Sequence, residues 1–134
     1  MNIAFVSAES TPFVKVGGLA DVVGTLPAIL KKMGHNVRVI LPHHGRIDDS
    51  RFGIELIERF DMSWNDAVVQ VEVSGVERDG VWHYFLRGWP FFSATEDFVY
   101  SNDEGIDVGR FLFFSEATLL FIRRLADREG WTPD

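Results

Sequence analysis

Lys15-Val16-Gly17-Gly18-Leu19-Ala20-Asp21-Val22-Val23 follows an apolar run, Ile3-Ala4-Phe5-Val6, and opens a stretch with helical periodicity. The residues from Asn2 to Ser7 are apolar almost without alternation, as in a parallel strand buried on both faces. From Gly18 to about Lys32 the pattern is helical, with Leu19, Val22, Val23, Leu26, Ile29, Leu30 and Met33 recurring on one face. Pro27 lies inside that pattern and predicts a lost backbone hydrogen bond and a bend. Gly34 suits the position just after a helix end. Asn36 to Leu41 reads as a second buried strand, closed by Pro42. Strand, helix and strand make a βαβ unit with a right-handed crossover, so the fold class is α/β.

The join between strand and helix has a chemistry of its own. Adjacent glycines let backbone N–H groups approach a ligand closely, and a helix N-terminus adds partial positive charge. Lys15 brings a full mobile charge. Together they suit a phosphate-bearing anion. The plainer readings are a solvated loop lysine and two turn glycines. Asp21 sits one turn into the helix, where the macrodipole favours an acid whatever else it does. Glu9 follows the C-terminal end of the first strand, where α/β sheets present ligand groups, and it equally suits a carboxylate that bonds its own loop.

Composition narrows the partners. A chain of 134 residues with 46% hydrophobic content is one domain's worth and buries an ordinary core. Thirteen basic residues against twenty acidic ones leave a formal charge of −7. That balance disfavours nucleic acid and anionic membrane surfaces, both of which require a basic footprint. No cysteine is present, which excludes a disulfide framework and a thiolate metal site. No basic n-region with an apolar run opens the chain, and the apolar stretch from Phe111 to Phe121 is too polar and short for a membrane span. A cytoplasmic protein is expected. His43 and His44 are adjacent rather than one helical turn apart and have no companion ligands, so no metal site and no cofactor are expected.

Beyond Pro42 the pattern changes. Phe52 to Phe60 and Ala67 to Val73 alternate, and Val81 to Leu86 follows a turn at Arg78-Asp79-Gly80. This predicts an antiparallel meander inserted at about 52–88. Gly88 to Gly105 reads as a long loop, within which Trp89-Pro90-Phe91-Phe92 either packs beneath the loop or stacks on sugar rings. Asp107 to Arg128 is strongly helical. Its apolar residues Val108, Phe111, Leu112, Phe114, Leu119, Ile122 and Leu125 cover more than one stripe, which predicts deep burial.

The opening, Met1 to Pro42, resembles the bacterial glycogen synthases and plant starch synthases. The matching residues are Ser7-Ala8-Glu9, Pro12-Phe13, Lys15-Val16-Gly17-Gly18-Leu19-Ala20-Asp21-Val22, Leu26-Pro27, and Gly34-His35 leading into Val37-Arg38-Val39-Ile40-Leu41-Pro42. Val16 stands where the usual motif has Thr. Arg110-Phe111, Phe113-Phe114-Ser115, Ala117 and Leu119 match a family helix, and the family carries a β-rich insertion where the meander is expected. The resemblance implies a GT-B glycosyltransferase with two Rossmann-like domains facing across a cleft. Members transfer glucose from ADP-glucose to the non-reducing end of an α-1,4-glucan, with retention. It implies that Lys15, Gly17, Gly18 and Glu9 bind substrate, with Lys15 on the ADP-glucose phosphates, and that Asp21 lies near the cleft as a candidate catalytic acid. It also implies that residues 1–134 are the incomplete front domain of such an enzyme, inactive without the C-terminal domain. The competing expectation is a stand-alone, non-catalytic module that keeps the fold to bind glucan, nucleotide sugar or a partner. For a plant protein the compartment would be a plastid, although no transit peptide is visible. A half-sheet has an open edge, which predicts self-association or burial of Phe111, Phe114 or Leu119 against a neighbour.

Overall fold

The computed structural model describes residues 1–134 as one five-stranded sheet between two helical layers. The order along the chain is β1 (Asn2–Val6), α1 (Gly18–Lys32), β2 (Asn36–Pro42), the helical turn α2 (Asp49–Phe52), β3 (Glu55–Trp64), β4 (Ala67–Arg78), β5 (Val81–Arg87) and α3 (Glu104–Glu129). Across the sheet the order is β1-β2-β5-β4-β3. β1 pairs parallel with β2, Asn2 opposite Asn36 and Val6 opposite Ile40. β2 then pairs parallel with β5, Arg38 opposite Trp82 and Pro42 opposite Leu86.

β5, β4 and β3 form the expected antiparallel meander. It is not a separate lobe, because β5 joins it to the parallel half in one continuous sheet. Both of its turns place two successive residues at positive φ: Asn65 and Asp66 at 47° and 62°, Asp79 and Gly80 at 52° and 75°. Such two-residue turns match the twist of the strands they join. The expected strand from Phe52 begins instead at Glu55, because Asp48 caps a helical turn through Phe52 by accepting from the Arg51 N–H. Gly53, at φ 69°, ends that turn.

α1 ends as its sequence reads. Gly34 lies at φ 95°, its N–H bonds the Lys31 carbonyl, and the His35 N–H bonds the Leu30 carbonyl. That is the paired closure of a Schellman end. The helix turns a different face inward from the one expected. Ala20, Val23 and Pro27 are buried, while Leu19, Val22, Leu26, Ile29 and Met33 are exposed. The cause is close approach: a Cβ on Gly24 would lie 1.9 Å from Thr11 Oγ1 and 2.7 Å from its carbonyl oxygen. Only the small-residue face fits against the loop after β1, and periodicity cannot choose between two apolar stripes.

α3 covers the opposite face of the sheet. Its buried residues Arg110, Phe113, Phe114, Ala117, Thr118, Phe121 and Leu125 form one stripe against Val71, Val73, Tyr84 and Leu86. The expected burial on several sides is not found: Val108, Leu112 and Leu119 are exposed, and Phe114 is buried within the chain itself. Asp103 caps the helix by accepting from the Gly105 and Ile106 N–H groups. Beyond it, the Asp134 N–H bonds the Asn2 carbonyl alongside β1.

Candidate functional site

The loop from Ser7 to Gly17 sits at the C-terminal end of β1, and its interior residues fix its shape. Ser10 and Val14 exchange backbone hydrogen bonds of 3.1 and 3.0 Å, closing the loop on itself. Phe13 is buried, its ring edge-on to Phe52 and Phe85 with centroids 5.1 and 5.0 Å away. The Thr11 N–H and hydroxyl both donate to the Ala20 carbonyl, tying the loop to α1.

Glu9 is only 2% exposed and has a definite structural task. Its Oε2 accepts the Val16 N–H at 3.0 Å, and its Oε1 accepts the Gly17 and Ala20 N–H groups at 3.2 and 3.3 Å. Gly17 is the N-cap of α1 and has no side chain to cap with, so Glu9 performs the capping from eight residues upstream. A buried carboxylate at a helix N-terminus is favoured by both the hydrogen bonds and the macrodipole.

Glu9 leaves part of the helix end open. The Gly18 and Leu19 N–H groups take no protein acceptor. A Cβ on Gly18 would meet nothing within 4 Å, and one on Gly17 would meet only Glu9 Oε1 at 3.9 Å. Neither glycine has a positive φ; Gly17 is extended at φ −147°, ψ −162°. Internal packing and backbone geometry therefore do not require glycine at 17 or 18. Lys15 stands over the same helix end, with Nζ 3.0 and 2.8 Å from the two carboxylate oxygens of Asp21. Both side chains are about half exposed, so the pair is worth at most about 1 kcal/mol and yields readily to a stronger anion.

The histidines after β2 divide between two tasks. His44 Nε2 donates to the Ala8 carbonyl at 2.7 Å, bracing the loop that carries Glu9. Burial lowers its pKa to about 4, so the ring is neutral at pH 7. His43 Nε2 donates to Asp49 Oδ1 at 2.7 Å, and burial, reinforced by Arg87, lowers its pKa as well. Tyr100 was not anticipated from sequence. Its hydroxyl has a raised pKa, from burial first and then from the facing Glu9 carboxylate, which brings residue 100 to the same loop. No short-range motif marks it, because the contact spans ninety residues of chain.

The loop that ends at Tyr100 is locked to α3 by Arg110, which is 2% exposed. Its guanidinium donates to the Val99 carbonyl at 3.0 Å and to Asp107 at 2.8 Å, and lies 3.2 Å from Glu96. It stacks over Phe92 and Phe98 at 4.6 and 4.8 Å. The expected aromatic run splits: Phe92 is fully buried, Phe91 stacks on Phe113 at 4.6 Å, and Trp89 is 80% exposed.

A parallel βαβ start with its loop and helix end at the C-terminal edge of the sheet is the architecture of nucleotide-binding α/β domains. The chain belongs to the starch synthase catalytic domain family, whose family model matches residues 2–134. It is 37% identical to glycogen synthase 1 of Geobacter sulfurreducens, over all of this chain and 27% of that protein. Glycogen synthase of Exiguobacterium sibiricum is 36% identical, again over all of this chain and 27% of its own length. The catalytic domain of starch synthase IV from Arabidopsis thaliana, bound to ADP and acarbose, superposes with a TM-score of 0.79 at 26% identity, covering 98% of this chain and 26% of that one. The chain thus spans about a quarter of the length of the relatives it matches.

Proposed function

We propose that this chain forms the loop-bearing front part of an ADP-glucose:α-1,4-glucan glucosyltransferase of the glycogen and starch synthase type, acting with retention. Gly18 and Leu19 direct their N–H groups to the diphosphate of the nucleotide sugar, and Lys15 exchanges its Asp21 partner for the phosphates. Charge grows on the diphosphate as the glucosyl bond breaks, and fixed N–H donors with an adjacent cation stabilise it where it develops. Asp21 holds Lys15 at the loop mouth and acts as a positioning residue. Glu9 keeps the helix end rigid. The observation that carries the reading is the pair of glycines at 17 and 18, which the fold itself does not require, beside two N–H groups without acceptors. The relative solved with ADP and acarbose supports the same ligand classes. The rest of the nucleotide pocket comes from a second Rossmann-like domain, so residues 1–134 alone do not catalyse transfer.

The test is a chimera in which residues 1–134 replace the matching segment of the Geobacter sulfurreducens glycogen synthase. The chimera should transfer glucose from ADP-glucose to glycogen, and Lys15→Ala in it should lower kcat/KM by about 100-fold or more. A folded chimera that binds ADP-glucose and shows no transfer, or a Lys15→Ala variant of unchanged rate, would overturn the assignment.

A further inference from the structure

β3 is the outermost strand on the meander side of the sheet and has no neighbour beyond it. The hairpin that joins it to β4 decides which of its backbone groups face outward. The turn at Asn65 and Asp66 sets Trp64 opposite Ala67, and from there Met62 stands opposite Val69, Phe60 opposite Val71 and Glu58 opposite Val73. Alternate residues of an antiparallel strand bond the same neighbour, and the residues closing a two-residue turn bond each other. Trp64, Met62, Phe60 and Glu58 therefore bond β4, and the N–H and C=O groups of Arg59, Asp61 and Ser63 point away from the sheet. None of these three takes a backbone partner in a turn or loop. The register slips between Leu56 and Glu58, which ends the regular edge at Ile57. α3 runs closest to β5, two strands in, and leaves the edge uncovered. Phe60 and Met62 are buried in the core that α3 covers, whereas the side chains of Arg59, Asp61 and Ser63 are exposed on the other face.

Open edges pair with other extended chains, and proteins blunt them with proline, lysine, short length or a covering element. β3 runs for ten residues and contains neither proline nor lysine. Its charges are of both signs and are arranged about Phe60. With a second copy of β3 laid antiparallel along the edge and the two-fold axis at Phe60, Arg59 falls opposite Asp61 of the second copy, and Asp61 opposite its Arg59. Both residues carry outward backbone groups, so each of these ion pairs is also a pair that exchanges N–H···O=C bonds in both directions. Moving the axis to Arg59 or to Asp61 sets like charges directly opposite each other, which disfavours pairing. The charges thus reject the neighbouring registers and reward one. Asp61 is without a cation inside its own chain, where it stands opposite Gln70. Arg59 has only Glu72, in an exposed pair at 3.4 Å that leaves the guanidinium able to bond a second carboxylate.

We propose that β3 is a dimer interface, at which two copies of this chain join their five-stranded sheets edge to edge, antiparallel about Phe60, into one continuous sheet. The pairing is isologous and closes at two chains, because each copy presents the same edge to the other. It lies at the opposite edge of the sheet from β1 and its loop, so it neither uses nor depends on the nucleotide site proposed above. A single strand pair buries less surface than a standard interface, which makes the dimer a reversible one.

Sedimentation equilibrium of the 134-residue chain up to several hundred micromolar, with amide hydrogen exchange at the same concentrations, tests this. The chain should pass from monomer to dimer with no larger species. The Arg59, Asp61 and Ser63 amides should gain protection as concentration rises, while those of Phe60 and Met62, already bonded to β4, should not change. Arg59→Glu and Asp61→Arg each set like charges across the axis and should each weaken dimerisation by about tenfold or more. An equimolar mixture of the two variants restores opposite charges at both pairs and should dimerise about as well as the wild type. Circular dichroism establishes that each variant is folded, and recovery on mixing is a result that a folding defect does not produce. A wild-type chain that stays monomeric over this range overturns the proposal. So does a dimer that neither substitution weakens, or a pair of variants that stay apart when mixed. The association would then belong to another surface, such as the exposed Val22, Leu26 and Ile29 stripe of α1.

Discussion

Replacing Glu9 by Gln tests whether one buried carboxylate holds the helix end that the proposed site depends on. The native carboxylate accepts three N–H groups, from Val16, Gly17 and Ala20. A glutamine has one acceptor oxygen, so whichever way the amide is turned its NH2 group faces at least one of those N–H donors. Leaving a buried donor unpaired costs about 1–3 kcal/mol, and converting the remaining charge-assisted bonds to neutral ones removes about 1 kcal/mol each. Relief of the cost of burying a charge gives part of this back. The expected net loss is about 2–4 kcal/mol, a drop of about 10 °C in thermal midpoint for a domain of this size. Urea unfolding followed by circular dichroism measures it directly. A Glu9→Gln variant within 0.5 kcal/mol of wild type would refute the claim that Glu9 caps α1, and with it the argument that only Gly18 and Leu19 remain available to a ligand.

Other consequences follow from buried charge and buried imidazole. Arg110→Ala should cost about 3–5 kcal/mol, because Asp107 and Glu96 would lose the cation they enclose, and backbone amide exchange should rise across residues 93–103, the segment it staples. His44 and His83, both lowered to about 4 by burial, should make stability fall with acid. Between pH 6.5 and 4 the unfolded chain holds protons that the folded chain refuses, so each histidine removes about 1.4 kcal/mol per pH unit over that window and nothing above it. Urea midpoints measured from pH 7.5 to 4.5 should show this, and His83→Gln should reduce the slope by about one histidine's share.

The βαβ start was legible because each of its signals is local: an unbroken apolar strand, helical spacing, a glycine past the helix end and a closing proline. The turn at Asp79-Gly80 was equally local, since positive φ at two successive positions narrows the residue choice. What failed to read through was orientation. α1 carries two apolar stripes, and Gly24 packed on Thr11 decides which one faces the sheet, a steric fact that appears only when the two segments meet. α3 likewise exposes Leu112 and Leu119 because only one stripe can face a sheet. In the site, Lys15, Gly17, Gly18 and Glu9 all carry a motif signal, and for Glu9 the structure adds three hydrogen bonds to its own loop and helix end, which no local pattern announces. Tyr100 had no sequence signal, being defined by a contact between distant loops.

The central claim is that the open end of α1 is where a nucleotide diphosphate binds, and the direct measurement is an amide nitrogen–proton NMR titration of the chain with ADP. The account predicts that the Gly18 and Leu19 resonances move furthest, that AMP and adenosine move them less, and that Lys15→Ala weakens the response at least tenfold. A response centred elsewhere in the chain, or Gly18 and Leu19 amides indifferent to ADP at millimolar concentration, would contradict it.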